Sequence, residues 1–286
     1  MREDSMRKKV LLFSMVAILL LSLISCGGNQ TSASASGGAA TSAPTSTLQR
    51  IIDSGVLKAG VALNGPPIGG RDDKGNPYGY DVDFAQKMAD ILGVKLEITD
   101  VDGETRIPAL TSGRVDIVFA NITGNLERAK SINFSIPYLR AGIKMMVRKD
   151  SPYKVVGDLD KAGVKVAVAR GTTGEELALA YAPKAELVYV ANFTDQTLLL
   201  KQGKVDATFE DSTLIDFTAG QSKGELVAQA KLYTSDPICI GMPKGDLEFV
   251  RWVDMFVSWM ISSGWEKETY TKWWGQAPTS NLVAIW

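Results

Sequence analysis

The sequence predicts an α/β fold made of two similar lobes, and three observations support this prediction. Strand-like and helix-like segments alternate from Leu48 onward, as they do in α/β proteins. One helix–turn–strand segment occurs twice, 90 residues apart. The composition, 45% hydrophobic and 22% charged over 286 residues, is that of a globular protein with one large domain or two of ordinary size.

The first 25 residues have the features of a secretory signal peptide. Arg7, Lys8 and Lys9 precede an apolar run over 10–24, which is shorter than the about 20 residues that cross a bilayer. The run ends in LISCG, which resembles a bacterial lipobox. Residues 1–25 are therefore predicted to be a lipoprotein-type signal peptide, and Cys26 the lipidated N-terminus. A plain signal peptide with an incidental cysteine is the alternative.

Residues 26–47 are predicted to be the lipid anchor followed by a flexible tether. The segment consists almost wholly of Gly, Ser, Ala and Thr, and it lacks large apolar side chains that could form a core. With Cys26 lipidated, Cys239 has no disulfide partner. It lies in a short apolar run, which favours a buried, inert thiol over a reactive nucleophile.

The remaining chain shows the alternating pattern element by element. A helix is predicted over 81–92 from its 3.6-residue apolar period, and another over 249–261 with Asp246 as N-cap. Trp252, Phe256 and Trp259 have helical spacing within the second helix, which favours packing in the core or between lobes over sugar stacking or membrane contact by the tryptophans. The predicted strands are 56–63, 95–101, 115–121, 144–148, 165–169, 186–190 and 206–210.

The repeated segment indicates where a ligand would bind. Residues 112–123 and 202–213 share the pattern Gly-basic-Val-Asp-x-x-Phe-x-[Asn/Asp]-x-Thr. Each copy places a polar residue, Asn121 or Asp211, at the end of a predicted strand. Ligands of open α/β sheets bind outside the carboxyl ends of strands. Two facing lobes would therefore bring Asn121 and Asp211 to one cleft, unless the similarity of the two segments is a coincidence.

Three further groups could complete a site for a small zwitterion. Arg128 follows Asn121 by seven residues, and a guanidinium can hold a carboxylate through two hydrogen bonds, with the Thr123 hydroxyl beside it. Thr172 and Thr173 begin a predicted helix, where they could cap the helix or form an anion site. Asp211 would pair with an amine, which would lower the pKa of its carboxyl. A solvated Arg128 is the alternative.

The composition excludes several kinds of function. The chain has no histidine, which excludes Ser-His-Asp and Cys-His catalysis and any His-ligated metal site. A net charge of −1 argues against nucleic-acid binding driven by bulk charge. The glycine-rich turn at 171–174 lacks the nucleotide phosphate-loop pattern. No cofactor and no metal are expected.

Several stretches together resemble bacterial solute-binding protein family 3, the amino-acid receptors of ABC importers. The stretches are GYDVDFA (79–85), RIPAL (106–110), 112–121, LERA (126–129), FSIPY (134–138), GTTG (171–174) and 203–211. The resemblance implies a two-lobed periplasmic-binding-protein type II fold, with two mixed sheets, flanking helices and two crossover strands. It implies a large lobe formed by residues 48–141 plus 237–286, and a second lobe formed by residues 142–236.

The resemblance also implies roles for individual residues. Arg128, Thr123 and Thr173 match positions that hold the α-carboxylate of an amino acid, and Asp211 matches the position that holds the α-amine. Arg106 resembles an arginine that contacts the side chain of acidic ligands. Two positions depart from the pattern: Gly65 stands where an aromatic usually stacks on the ligand, and Ala62 stands where receptors for cationic ligands carry an aspartate. An acidic or small polar amino acid is therefore expected.

The resemblance implies a monomeric receptor in the periplasm or at the cell surface. It would bind a free amino acid between its lobes and deliver it to an inner-membrane ABC permease. The lipid on Cys26 would be its only contact with a membrane, and no nucleic acid and no catalysis are expected. Two alternatives remain: an enzyme such as a cyclohexadienyl-type dehydratase, with Glu210 or Asp211 as general acid, and a ligand-sensing partner of a receptor.

Overall fold

The computed structural model describes residues 46–278 and Leu282. The predicted signal peptide, the lipidation of Cys26 and most of the predicted tether lie outside the described residues. Among the described residues, no helix has both the length and the apolar character needed to cross a membrane.

Helices and strands alternate along the chain. The first part contains α1 (Thr47–Ser54), β1 (Val56–Val61), β2 (Gly70–Arg71), β3 (Pro77–Tyr78), α2 (Tyr80–Leu92), β4 (Lys95–Asp100), α3 (Arg106–Thr111), β5 (Ile117–Thr123), a 3₁₀ turn (Arg128–Lys130), β6 (Asn133–Phe134) and β7 (Leu139–Ala141). The rest contains β8 (Ile143–Arg148), a 3₁₀ turn (Val156–Leu159), β9 (Lys165–Ala169), α4 (Thr173–Tyr181), β10 (Glu186–Val190), α5 (Phe193–Lys201), β11 (Ala207–Asp211), α6 (Ser212–Gln221), β12 (Leu226–Ala228), β13 (Asp236–Met242), α7 (Leu247–Ser262) and α8 (Trp265–Trp274).

Two mixed sheets organise the molecule, which confirms the predicted fold class. The first sheet has the order β4-β1-β5-β13-β6, with β7 also paired to β13; β1 is parallel to both of its neighbours, and β13 is antiparallel to all of its partners. The second sheet has the order β10-β9-β11-β8-β12; β9 is parallel to both of its neighbours, and β8 is antiparallel to both. We call the parts of the chain that carry these sheets the first and second lobes.

The chain crosses between the lobes twice. It leaves the first sheet after β7 and enters the second at β8, with Gly142 between them, and it returns through the segment between β12 and β13. The two crossings run side by side, because β7 pairs with the start of β13: Asp236 lies opposite Ala141. The Ser212 amide donates to the Gly142 carbonyl at 2.8 Å, which ties the start of α6 to the first crossing.

All seven strands predicted from the sequence are present, with bounds that differ by up to two residues. The largest difference concerns the strand predicted over 115–121, which is β5 at 117–123. β5 continues past Asn121 because Ile122 and Thr123 pair with Cys239 and Ile238 of β13. The sequence placed Asn121 at the strand end, and this was wrong: Asn121 lies inside β5.

Helix α7 shows why its sequence forms an amphipathic helix. Its inner face is fully or almost fully buried against the first-lobe core and carries Phe249, Val253, Phe256, Val257 and Met260. The Asp246 carboxylate accepts a hydrogen bond from the Phe249 amide at 3.0 Å, which confirms Asp246 as the N-cap. Trp252 is partly buried, whereas Trp259 is 46% exposed, so the prediction of core packing was wrong for Trp259.

Candidate functional site

A cavity of about 60 Å³ lies between the lobes, where the carboxyl ends of β5, β9 and β11 meet. The first lobe contributes Ala62, Asn64, Gly65, Ile68, Asp102, Gly103, Arg106, Ala120, Asn121 and Thr123 to its wall. The second lobe contributes Ala169, Thr172, Thr173, Ala191, Asn192, Phe193, Glu210, Asp211 and Leu214. A cavity of this size holds a few water molecules, at roughly 15 Å³ each.

Direct contacts between the lobes keep this cavity small. The Asn121 side-chain amide donates to Asp211 Oδ2 at 2.7 Å, joining the two equivalent positions of the sequence repeat. At the rim, the Thr194 hydroxyl donates to the Asn64 carbonyl at 2.6 Å. Outside the cavity, the Trp274 indole N–H donates to the Thr213 carbonyl at 3.0 Å. The structure therefore shows a closed arrangement of the two lobes.

Asn121 is held in an uncommon backbone conformation, with φ of 47°. Its amide N–H donates to Asp81 Oδ2 at 2.8 Å. Asp81 lies in the first turn of α2 and also accepts a hydrogen bond from the Tyr138 hydroxyl at 2.6 Å. The buried Asp81 carboxyl thus holds Asn121 in the orientation that reaches Asp211.

Burial raises the pKa of Asp81 to about 7, although its hydrogen bonds to Tyr138 and Asn121 partly offset the effect. Asp81 was not among the residues predicted to form the site. The available signal was its place in the GYDVDFA stretch that carries the family resemblance.

Asp211 and Glu210 form a buried pair of carboxylates at the end of β11. Burial raises the pKa of Asp211 to about 8, with a further contribution from the negative charge of Glu210. Burial also raises the pKa of Glu210, even though its Oε1 accepts a hydrogen bond from the Asp211 amide at 3.2 Å. A cation in the cleft would therefore be needed to keep Asp211 ionised at neutral pH.

The two arginines of the site are tied to main-chain carbonyls. Arg106 donates to the Ala120 carbonyl at 2.8 Å and to the Gly171 carbonyl at 3.3 Å. Arg128 donates to the Thr123 carbonyl at 2.9 Å and to the same Gly171 carbonyl at 3.0 Å. Both arginines therefore reach from the first lobe to the second.

Burial lowers the pKa of Arg106 to about 10, and the positive charge of Arg128 contributes to the shift. Burial also lowers the pKa of Arg128. Two arginines with depressed pKa values are favourable partners for an anionic group, because an anion offsets the cost of burying their charges.

Thr172 and Thr173 have different roles at the start of α4. The Thr172 hydroxyl oxygen accepts a hydrogen bond from the Glu175 amide at 3.2 Å, which makes Thr172 the N-cap. Glu175 in turn accepts from the Gly171 amide at 2.8 Å. Thr173 is the first helical residue and also lines the cavity. The capping interpretation therefore accounts for Thr172, while Thr173 is free of the N-cap role.

Several buried polar atoms of the cleft form no hydrogen bond within the described part of the chain. They are Arg106 Nε, Asn121 Oδ1 and Asp211 Oδ1. Leaving such groups unpaired is costly, so a site that contains three of them is suited to a ligand with both donor and acceptor groups.

Six of the seven predicted ligand-binding residues line the cavity: Arg106, Asn121, Thr123, Thr172, Thr173 and Asp211. Arg128 lies beside the cavity, where it donates hydrogen bonds to the Thr123 and Gly171 carbonyls.

Two apolar wall residues, Phe193 and Leu214, were not predicted. They approach Gly65, where an added Cβ would lie 3.4 Å from Leu214 and 4.0 Å from Phe193. The second lobe thus fills the space that an aromatic at position 65 would otherwise take.

Comparison with known proteins gives a consistent result. The family model described as bacterial extracellular solute-binding proteins, family 3, matches residues 57–276. The ABC transporter glutamine-binding protein GlnH of Bacillus subtilis is 31% identical over 93% of this chain and 97% of its own length. Cyclohexadienyl dehydratase of Pseudomonas aeruginosa is 34% identical over 59% of this chain and 64% of its own length.

Among solved structures, this chain is similar to an ancestral amino acid-binding protein described as a precursor of cyclohexadienyl dehydratase. The TM-score is 0.76 at 34% identity, and the match covers 80% of this chain and 100% of that one.

Proposed function

Because the chain belongs to the bacterial extracellular solute-binding proteins of family 3, we propose that it is the amino-acid receptor of an ABC importer. It binds a free amino acid between its lobes and delivers it to an inner-membrane permease. The observation that carries this proposal is the set of unpaired buried atoms, Arg106 Nε, Asn121 Oδ1 and Asp211 Oδ1, at a cleft built by both lobes.

The charges of the cleft fit the two ends of an amino acid. Asp211 binds the α-ammonium, which replaces the Asn121 amide on its carboxylate and restores its ionised form. Arg128, Thr123 and Thr173 bind the α-carboxylate, with Thr172 supporting Thr173 as the cap of α4. The ligand thereby touches both lobes, which favours the closed arrangement.

The ligand side chain that the cleft favours is polar and uncharged, with glutamine as the first candidate. Arg106 can donate to an oxygen of the side chain through its unpaired Nε. Glu210 places a second buried carboxyl next to Asp211 and opposes a ligand that brings another carboxylate. A side-chain amide fits both residues, because its oxygen can accept a hydrogen bond from Arg106 and its nitrogen can donate one to Glu210. The relative GlnH is a glutamine-binding protein. Aspartate and glutamate are the next candidates.

A dehydratase is the second candidate function, and Glu210 is the observation that favours it. Burial raises the pKa of the Glu210 carboxyl, and a raised pKa favours the protonated form that a general acid needs. The similarity to cyclohexadienyl dehydratase covers only part of that enzyme, whereas GlnH is matched over nearly its whole length. Binding without catalysis is therefore the function we propose. Formation of an aromatic product from a cyclohexadienyl substrate, measured by absorbance, would favour the enzyme.

The organisation and location of the receptor complete the proposal. Residues 48–141 plus 237–286 form the large lobe and residues 142–236 the second, in keeping with crossings next to Gly142 and before β13. Residues 1–25 direct secretion, and the lipid on Cys26 holds the protein at a membrane in the periplasm or at the cell surface. The receptor acts as a monomer. If it also reports the presence of its ligand to a second, signalling receptor, the closed form would be the one that this receptor recognises.

Thermal unfolding in the presence of each amino acid tests the proposal. Protein freed of bound ligand should gain roughly 2.7 kcal/mol at a ligand concentration about 100 times Kd. Each kcal/mol raises Tm by roughly 2–4 °C in a chain of this size. A selective shift with glutamine supports the proposal. No shift with any amino acid would contradict it.

A further inference from the structure

The outer face of α7 carries a line of exposed residues that the amino-acid site does not use. Leu247 is 70% exposed, Met255 63% and Trp259 46%. Arg251 lies between Leu247 and Met255, so that the four residues follow one another at intervals of four. This spacing places them on one side of the helix. We call these four residues the α7 stripe. The opposite side of α7 forms part of the core, so the stripe is a true outer surface.

Helix α2 extends the stripe with a cation and another apolar residue. The Lys87 ammonium lies 5.8 Å from the ring centre of Trp259 and 6.0 Å from that of Trp265. Ile91, one helical turn after Lys87, is 46% exposed. Tryptophan beside lysine, with aliphatic residues around them, is the chemistry of protein surfaces that lie at the interface of a lipid bilayer.

The position of the N-terminal end of the described chain indicates that the partner of this surface is a lipid bilayer. Helix α1 begins at Thr47, and the Thr47 amide donates to Asp246 Oδ2 at 2.6 Å. The described chain therefore begins beside the N-cap of α7, where the stripe also begins with Leu247. Residues 27–46 separate this point from Cys26. The tether predicted from the sequence has about 20 residues, for which coil statistics give an r.m.s. length of roughly 25 Å, so the proposed lipid on Cys26 would hold this end of α7 close to the bilayer.

We propose that the α7 stripe, with Lys87 and Ile91, is a membrane-resting surface that contacts lipid headgroups when the protein is anchored. This proposal rests on the lipid anchor of the proposed function. The anchor supplies the proximity, and Met255 and Trp259 supply the apolar contact. Arg251 and Lys87 meet the headgroup phosphates. The acidic Glu248 and Asp90 beside them keep the affinity of the surface low without the anchor.

Contact with lipid at this surface would orient the receptor. α7 belongs to the first lobe, so the second lobe would remain free to close on its ligand. The surface would therefore change how the protein is presented at the membrane and would leave amino-acid affinity unaltered.

A fluorescent label on the stripe tests the proposal. The lipoprotein is reconstituted in vesicles of phosphatidylcholine and phosphatidylglycerol, with a polarity-sensitive label on Met255→Cys. The matched control is Leu179→Cys on α4 of the second lobe, where the leucine is 53% exposed. Cys239 stays unlabelled because it is buried, and burial raises the pKa of its thiol to about 12.

We expect the label at position 255 to shift to shorter wavelength and to lose at least half its intensity with nitroxide-bearing lipid. The label at position 179 should do neither. Equal responses at the two positions, or a shift at position 255 that follows protein concentration instead of lipid, would overturn the proposal. So would a mature protein shown by mass spectrometry to lack the lipid. Calorimetry on the same samples measures amino-acid binding separately, so failure of the receptor function would be distinguished.

Discussion

At the scale of single residues, the proposed amino-acid site depends on a few carboxyl groups whose pKa values are raised by burial. Asp211 carries the proposed contact to the α-ammonium, and its Oδ2 already accepts the Asn121 amide at 2.7 Å. An amide at position 211 would preserve shape and remove the charge. The site would then bury the ligand ammonium without an anion, which is costly.

We therefore expect Asp211→Asn to lower amino-acid affinity by about 100-fold, which corresponds to about 3 kcal/mol. Titration calorimetry with glutamine measures the loss. The control is Asp150→Asn, an exposed aspartate of the second lobe that should retain the affinity of the parent protein. A variant Asp211→Asn that binds as tightly as the control would contradict the proposed role of Asp211.

Burial of Asp211 also predicts how affinity varies with pH. In the closed, ligand-free cleft burial raises its pKa to about 8, so the carboxyl of the closed form holds a proton at neutral pH. An ammonium ligand requires the ionised form, so that proton must leave on binding. Affinity should rise between pH 6 and pH 8, approaching tenfold per pH unit at the acid end of this range. Calorimetry in buffers of different ionisation enthalpy should show proton release. Equal affinity at pH 6 and pH 8 would contradict the prediction.

The same shift has the opposite consequence for the stability of the closed, ligand-free form. The folded pKa lies above the unfolded value of 3.8, so the folded state binds more protons between about pH 4 and pH 8. The contribution of Asp211 to the free energy of unfolding therefore decreases as pH rises across that window. Glu210 acts in the same direction, because burial raises its pKa too.

The residue types in the sequence led to the residues that line the cavity, but they could not predict these charge states. Asp211, Arg128 and the threonines stand in recognisable stretches. Burial is the main cause of the raised pKa values of Asp81 and Asp211, and the contacts around both carboxyls come from distant parts of the chain: Asn121 is 40 residues from Asp81 and 90 residues from Asp211. No local pattern contains that information.

At the scale of elements, closure depends on how closely two loops can approach. Gly103, just before α3, and Gly171, just before α4, meet across the cleft. A Cβ on Gly103 would lie 2.4 Å from the Arg170 carbonyl oxygen, closer than real Cβ atoms come. Gly103 is partly exposed and has no left-handed φ, so an alanine there strains the closed form without straining its own loop.

Gly103→Ala should therefore weaken amino-acid affinity by about tenfold or more and leave the Tm of the ligand-free protein nearly unchanged, provided that the ligand-free lobes can separate. The comparison variant is Gly157→Ala, because a Cβ at that position meets nothing within 4 Å. Calorimetry and thermal unfolding measure the two quantities. Wild-type affinity in Gly103→Ala would show that ligand binding does not require this close approach.

The buried and exposed faces of helix α7 should respond differently to substitution by alanine. Phe256 is 4% exposed and stacks on Trp252, whereas Trp259 is 46% exposed. Phe256→Ala should lower the free energy of unfolding by about 3–5 kcal/mol, because it opens a cavity in the first-lobe core. Trp259→Ala should cost about 1 kcal/mol or less. Urea unfolding provides both values, and equal losses would contradict the assigned faces.

The elements themselves were predicted to different degrees, for physical reasons. Strands β9 and β10 match their predicted bounds because each is a charged residue followed by four apolar residues, KVAVA and ELVYV, which is visible in the sequence. The two- and three-residue strands β2, β3, β6, β7 and β12 were not predicted, since segments this short show no periodicity. The continuation of β5 past Asn121 depends on β13, more than 100 residues later.

At the scale of the whole molecule, the repeat at 112–123 and 202–213 predicted two facing lobes, and the structure joins Asn121 directly to Asp211. What the repeat could not predict is how tightly the lobes meet, because that depends on the contacts between Asn64 and Thr194 and between Gly103 and Gly171. Asn64 and Thr194 are 130 residues apart in the chain, so no local sequence pattern records that they meet.

The whole receptor is expected to close on its ligand by a movement of one lobe toward the other. The ligand-free protein should exchange between open and closed forms, and an amino acid should favour the closed form because it binds both lobes. Moving the population from 1:99 to 99:1 requires about 10⁴-fold tighter binding to the closed form. A donor–acceptor pair on Met255→Cys and Leu179→Cys, one label on each lobe, reports the distance in single molecules. Saturating glutamine should replace a broad distribution by one narrow population, and Asp211→Asn should keep the broad one. An unchanged distribution in protein that calorimetry shows to be saturated would mean that binding does not drive closure.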